Sequence, residues 1–329
     1  MLPVHTIREL PFREKHGRMY KRKHVTVVIP AYNEENFVGQ ILTNIPSFVD
    51  RVIVVDDASS DATCANVKDI PDPRIVLLSN STNQGVGASC VRGYRKALQL
   101  DTDIVVKVDA DGQTPLDQFP CLLDVIVEEG YDYAKGNRFL ETTSLGQMPA
   151  LRLFGNMALT FLTKLASGYW QVFDPQNGFT AIKKPCLEAI DLDRIHNRYF
   201  FENDMLVQLN MLNSRVKDVP MPTVYGKEKS GISTISTLAT FPWLFLHRFL
   251  HRVYQKYILR DFSPIAIFLG LGGLFFAWGI GFGIYLWIRS ALTQVQASTG
   301  TVMLAVLPLI LGFQLLLEAL VLDINQTPR

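Results

Sequence analysis

The chain carries almost no net charge, no paired cysteines, no glycine fingerprint at its first strand and no low-complexity segment. Each absence removes a class of function. Lys and Arg number 32 against 31 Asp and Glu, a formal net charge of +1 over 329 residues, so no bulk field selects nucleic acid or an acidic partner. The four cysteines (Cys64, Cys90, Cys121, Cys186) are scattered without a C-x-x-C pair; this fits reduced thiols rather than a metal cage or a disulfide set. The first apolar strand ends in PAYNEE, where a dinucleotide-binding fold would carry G-x-G-x-x-G, so a nicotinamide dehydrogenase is set aside. No apolar stretch near residue 1 has the form of a signal peptide, in keeping with a cytoplasmic domain.

The sequence does have an apolar excess, and it is concentrated late. Residues 264–288 carry no charge, and 301–322 carry only Glu318. Each run is long enough to cross ~30 Å of hydrocarbon as a helix. They predict a transmembrane hairpin within residues 263–323, with Glu318 at the headgroups. Arg248, Arg252, Lys256 and Arg260 precede the first span, and the loop between the spans has only Arg289; this bias puts the large N-terminal part in the cytoplasm. The same four basic residues recur at every fourth position and form one helical stripe. Trp243, Phe245, Leu246, Phe249, Leu250, Val253, Tyr254 and Tyr257 supply its apolar cover. Residues 238–262 therefore read as an amphipathic helix on the membrane surface, Arg and Lys toward anionic headgroups. Gly270, Gly272 and Gly273 offer a close helix contact through which the spans could form a homo-oligomer. The arm 1–24 is rich in Lys and Arg and receives no function.

Between residues 25 and 237 apolar strands alternate with helical patterns. VTVVIP, RVIVVDD, RIVLLS and DIVVKVDADG read as strands, each followed by a segment of helical spacing. Continuous Val/Ile/Leu runs of this kind predict an α/β domain whose parallel sheet has helices on both faces. Ligands then bind beyond the C-terminal strand ends. Strand one ends in PAYNEE, strand two in DDASSD and strand four in DADGQ, while GVGASC opens the helix after strand three. Two aspartates separated by one alanine repel each other and are costly to desolvate alone. Mg²⁺ or Mn²⁺ would resolve the conflict, because both prefer carboxylate oxygens and share their shell with diphosphate oxygens.

Taken together, PAYNEE, the DD after strand two and DADGQ resemble glycosyltransferase family 2, which has the GT-A nucleotide-sugar fold. GNRF (136–139) and the membrane hairpin are similar to its polyprenyl-phosphate branch, relatives of dolichyl-phosphate mannose synthase. The resemblance implies that Pro30, Ala31, Tyr32 and Glu34 line the nucleotide pocket, with Asp57 or Asp56 reading the base; Gly85, by its own chemistry, makes a tight entry into a helix whose N-terminal N–H groups would face a phosphate. The resemblance also implies that Asp109, Asp111 and Gln113 form the metal and diphosphate site, Asp111 and Gln113 as direct ligands. Arg138 would meet donor or acceptor phosphate. DPQNGFTAI (174–182) resembles the acceptor-side loop, whose glycine permits close backbone approach. FENDML (201–206) stands where relatives carry an acidic catalytic motif, so either Glu202 or Asp204 faces the sugar. Lys227 and Lys229 in the segment 225–233 are candidates for the lipid phosphate.

The implied reaction is inverting transfer of a sugar from a UDP- or GDP-linked donor to undecaprenyl or dolichyl phosphate in the membrane. Two readings compete with it: a processive polysaccharide or glycolipid synthase of the same family, and a non-catalytic membrane adaptor with the same fold. No Gln-x-x-Arg-Trp motif of the processive enzymes occurs, and two spans are too few for a pore without oligomerisation.

Overall fold

A computed structural model describes residues 19–138, 150–222 and 234–328. The β-branched runs form the expected strands: β1 (Val25–Ala31), β2 (Arg51–Asp56), β3 (Ile75–Ser79) and β4 (Ile104–Lys107). Each is followed by a helical segment: α1 (Val38–Asn44), α2 (Thr63–Lys68), α3 (Val86–Leu98) and α4 (Phe119–Val127). β5 (Tyr133–Asn137), β6 (Thr180–Lys183) and β7 (Val216–Pro220) complete a seven-stranded sheet in the order β3-β2-β1-β4-β6-β5-β7. Only β6 runs against its neighbours β4 and β5; the other pairs are parallel. Val27, Ile29 and Val106 pack with α1 and α4 on one face. Val28, Val55 and Val105 pack on the other with α3, α6 (Lys184–Ala189) and α7 (Phe201–Met211). β1, β2 and β4 are buried on both faces and read as nearly continuous apolar runs, as parallel strands do.

α5 (Ala150–Ser167) lies between β5 and β6 in sequence. Its inner side joins Phe200 of the α7 entry and Phe241 and Phe245 of α8 (Thr234–Arg252) in a separate aromatic cluster. α8 continues as a π-helical segment, Val253–Arg260, and leads to α9 (Pro264–Thr293) and α10 (Thr299–Asn325). α9 and α10 are long and apolar enough to cross a membrane and are mostly uncovered by the rest of the chain. The solvent they suit is a bilayer. Among the described part of the basic arm, Tyr20 and Lys21 both donate to Asp124 of α4.

Arg248, Arg252 and Lys256 of the basic stripe turn inward, and Arg260 stays exposed. Arg248 forks onto Asp204, Arg252 onto Asp323, Lys256 donates to Asn210 and Arg260 to the Met211 carbonyl. The outward positions are instead Trp243, Leu246, Leu250, Tyr254, Ile258, Leu259 and Phe262. For Arg248, Arg252 and Lys256 the expected orientation is therefore reversed. Periodicity identified the two faces, but the globular domain offers carboxylates and carbonyls that satisfy buried cations, which leaves the aromatic and aliphatic residues on the outward face.

Of Gly270, Gly272 and Gly273, Gly272 meets the neighbouring span within the chain, and the other two face open space. A Cβ at Gly272 would lie 3.1 Å from the Gly312 carbonyl of α10, whereas Gly270 and Gly273 have nothing within 4 Å. Small residues here let the two helices of the hairpin pack against each other.

Candidate active site

A cavity of about 760 Å³ opens at the C-terminal ends of β1, β2 and β4, the position at which open parallel sheets bind ligands. Pro30, Ala31, Tyr32 and Glu34 line one wall after β1, and Asp57 follows β2. Asp109, Ala110 and Asp111 form the turn after β4, and Gly85, Val86 and Ser89 supply the entry to α3. Arg198, Tyr199 and Glu202 close the far side from the start of α7, together with Asn83 and Gln176. Of the residues singled out in the sequence, Asp56, Gln113, Arg138 and Asp204 are not on this lining.

The floor is organised by a residue that the sequence reading passed over. Lys107 ends β4 with its side chain 1% exposed. Its Nζ donates to Asp109 Oδ1 at 2.7 Å and to Glu202 Oε1 at 3.1 Å. Strand alternation puts 107 and 109 on the same side of the sheet, toward α7. Burial works against the charge, but Asp109 and Glu202 hold the ammonium well above the usual lysine range. A lysine inside a run of valines was the available signal: a buried cation needs carboxylates, and two were near at hand.

Glu202 and Asp204 have separate surroundings. Asp204 is buried and accepts from Arg248 Nε and Nη2 at 2.7 and 2.8 Å, and from the His196 backbone N–H at 2.8 Å. Burial pushes its carboxyl above the usual range even with Arg248 beside it. Positions two apart on a helix point to opposite sides, so Glu202 faces the cavity and Asp204 faces α8.

Asp57 is a brace for the cavity wall. Its Oδ1 accepts from Asn80 Nδ2 at 2.6 Å and Gln84 N at 2.9 Å, and its Oδ2 from Gly85 N at 2.7 Å. These bonds take three of about four lone-pair sites on the carboxylate and leave about one for a base N–H. Asp56 accepts from Ser59 N at 3.2 Å and turns its own loop.

The segment 174–178 is held against the same floor. Arg138 Nε and Nη2 donate to Asp174 Oδ2 and Oδ1 at 2.8 and 3.1 Å. Burial opposes that charge too, and Asp174, with Asp109 and Asp111 further off, holds the guanidinium above its ordinary value. Lys135, fully buried and pulled down to about 8 by that burial, donates to the Asn177 carbonyl. Gly178 then meets Asp109: a Cβ there would lie 1.6 Å from Asp109 Oδ2. Replacing it by alanine is expected to displace the Asp109 carboxylate and lower activity about 30-fold, the equivalent of ~2 kcal/mol of strain. Steady-state kinetics beside a thermal midpoint would check this; full activity would mean that Asp109 can move without cost.

Among the described residues, no three His, Cys, Asp or Glu side chains form a ready metal cage. The turn fits a hard cation in another way. Asp109 and Asp111 present carboxylate oxygens on the cavity wall, and Gln113 N donates to Asp111 Oδ1 at 2.9 Å, fixing that side chain. Mg²⁺ and Mn²⁺ are commonly held by one or two carboxylates plus substrate phosphates. Lys227 and Lys229 lie outside the described residues.

Comparison with known proteins agrees with this geometry. Residues 26–191 match the family described as glycosyl transferase family 2. The chain is 29% identical over 218 residues to the UDP-N-acetylglucosamine–dolichyl-phosphate N-acetylglucosaminyltransferase of Methanococcus voltae, covering 62% of this chain and 86% of that protein. It is 31% identical over 205 residues to the undecaprenyl-phosphate mannosyltransferase of Micrococcus luteus, covering 61% and 83%. A crystal structure of glucosyl-3-phosphoglycerate synthase from Mycobacterium tuberculosis with Mn²⁺, UDP and phosphoglyceric acid superposes with a TM-score of 0.54. At 20% identity, over 70% of this chain and 79% of that one, it shows a shared fold.

Proposed function

We propose, from the premise that this chain belongs to glycosyl transferase family 2, that it moves a sugar from a nucleoside diphosphate donor to a polyprenyl phosphate, with inversion at the anomeric carbon. One juxtaposition carries the reading: the acidic turn Asp109–Asp111 opens into a cavity of nucleotide-sugar size, and the same chain continues through an outward apolar helix face into two membrane-crossing helices. A polyprenyl chain leaves the bilayer only at ~0.8 kcal/mol per CH₂, so the enzyme has to work at the headgroup. The named relatives, which act on dolichyl and undecaprenyl phosphates, support the same acceptor class.

The acceptor phosphate is ionised near neutral pH and attacks without a strong base. Its oxygen forms the new bond to the anomeric carbon while the bond to the donor's diphosphate oxygen breaks in line. A divalent cation at Asp109 and Asp111, with Gln113 beside them, would supply Lewis-acid stabilisation of the leaving diphosphate. Glu202, fixed by Lys107, orients the sugar or acceptor; Asp204 takes no part. Tyr32 and Glu34 flank the nucleotide, and Arg138 holds Asp174 beside the acceptor path.

The direct test offers a panel of labelled UDP- and GDP-sugars to the purified protein with polyprenyl phosphate. Label should enter an organic-soluble glycosyl phosphate lipid. Label in a polymer made without polyprenyl phosphate would replace this reading with a processive synthase.

The catalytic domain is assigned to the cytoplasmic side because the loop between α9 and α10 has almost no charge. With the native cysteines replaced, Ser298→Cys should react with an impermeant thiol reagent from outside, and Ser60→Cys should not. The opposite pattern would invert the topology.

A further inference from the structure

The joint between the hairpin and the globular domain is built around a buried ion pair that the reaction above does not use. Arg252 is 0% exposed. Its Nη1 and Nη2 donate to Asp323 Oδ1 and Oδ2 at 2.7 and 3.0 Å. Its Nε donates to the Ala166 carbonyl at 2.9 Å, and Nη2 also to the Leu165 carbonyl at 3.1 Å. The Tyr257 hydroxyl donates to Asp323 Oδ1, and Trp170 Nε1 to Oδ2 at 3.4 Å. Gly168, at φ +74°, closes over the guanidinium: a Cβ there would lie 2.6 Å from Arg252 Nη1. Just beyond, Thr327 Oγ1 donates to the Gly168 carbonyl at 3.1 Å and Gln171 Nε2 to the Pro328 carbonyl at 3.2 Å.

Asp323 stands near the end of α10, and the residues that hold it or Arg252, 165–171, run directly into the loop 174–178 on the cavity floor. A buried ion pair is poor evidence for stability, since apolar residues of like volume often serve as well. A bidentate fork that also reaches two main-chain carbonyls fixes orientation. We propose that Arg252 and Asp323 are positioning residues that lock the end of α10 to segment 165–171, so that membrane span and acceptor-side loop move as one body. The functional consequence rests on the lipid-phosphate reading: the lock sets the height of the cavity above the headgroups, where a long polyprenyl phosphate presents its phosphate.

The test uses the full chain in nanodiscs, as Asp323→Asn and as the paired change Arg252→Met with Asp323→Leu, which removes the lock without stranding a charge. Two acceptors are compared, a short water-soluble isoprenyl phosphate and a long-chain polyprenyl phosphate embedded in the disc. KM for the long acceptor should rise ~10- to 100-fold, the cost of a misplacement of about an ångström. The donor KM and turnover on the short acceptor should stay within about twofold. Amide exchange across 168–178 should speed up in both variants with no substrate present. Equal losses on both acceptors, unchanged kinetics with a lowered thermal midpoint, or unchanged exchange would each reduce the pair to a structural contact and overturn the proposal. If the parent uses neither acceptor, the proposed function fails instead, and the exchange measurement still decides whether the lock exists.

Discussion

Asp111→Asn is expected to lower sugar transfer ~10³-fold or more, about 4 kcal/mol of transition-state stabilisation, with no change in thermal midpoint. The amide keeps the acceptor that Gln113 N uses at 2.9 Å, so the turn stays in place. What is lost is the negative charge that a divalent cation requires. Activity of the parent should also vanish in EDTA and return with Mg²⁺ or Mn²⁺. Undiminished turnover in chelator would remove the cation from the mechanism, and a fully active Asp111→Asn would remove Asp111 from the site.

The first four strands were legible because short runs rich in β-branched residues, bounded by turn residues, favour strand over helix. β5 was not: Tyr-Ala-Lys-Gly-Asn has no alternation and includes two residues that weaken strands. Its burial comes from being placed between β6 and β7, a tertiary fact. The antiparallel insertion of β6 has the same origin. At the cavity, strand ends pointed to Pro30, Tyr32, Glu34, Asp109 and Asp111 because ligands bind beyond strand ends. Arg198 and Tyr199 come from the approach to α7, far along the chain, and no local pattern marks them.

The basic stripe was expected to face the headgroups, and the sequence left open whether Glu202 or Asp204 faces the sugar; in the structure Glu202 lines the cavity while Arg248 and Asp204 face one another. Helical spacing states which residues share a side; it does not state which side meets the domain. For charged residues the decision is made by whatever opposite charge the fold brings up, and burial is tolerable only where that partner exists. The outward row of Trp243, Leu246 and Leu250 follows from the same rule applied in reverse.

Lys107→Met should also damage transfer, less than loss of Asp111 and by a different route. The methionine fills the volume but leaves Asp109 and Glu202 without their shared counter-charge, and removing one partner of a buried pair costs ~3–5 kcal/mol. That range is an upper bound, because the Asp109 side chain is 33% exposed and water screens part of the loss. Transfer should fall ~10²-fold as the two carboxylates separate and Glu202 leaves its orientation. Adding Glu202→Gln to Lys107→Met separates stability from activity. A neutral amide needs no counter-charge, so the thermal midpoint should recover in part, while transfer stays low because the carboxylate facing the cavity is gone. If Lys107→Met is as stable and active as the parent, the ammonium does not organise the floor. If the second change restores no stability, Asp109 alone carries the cost, and Lys107 serves the acidic turn after β4 rather than the bridge to α7.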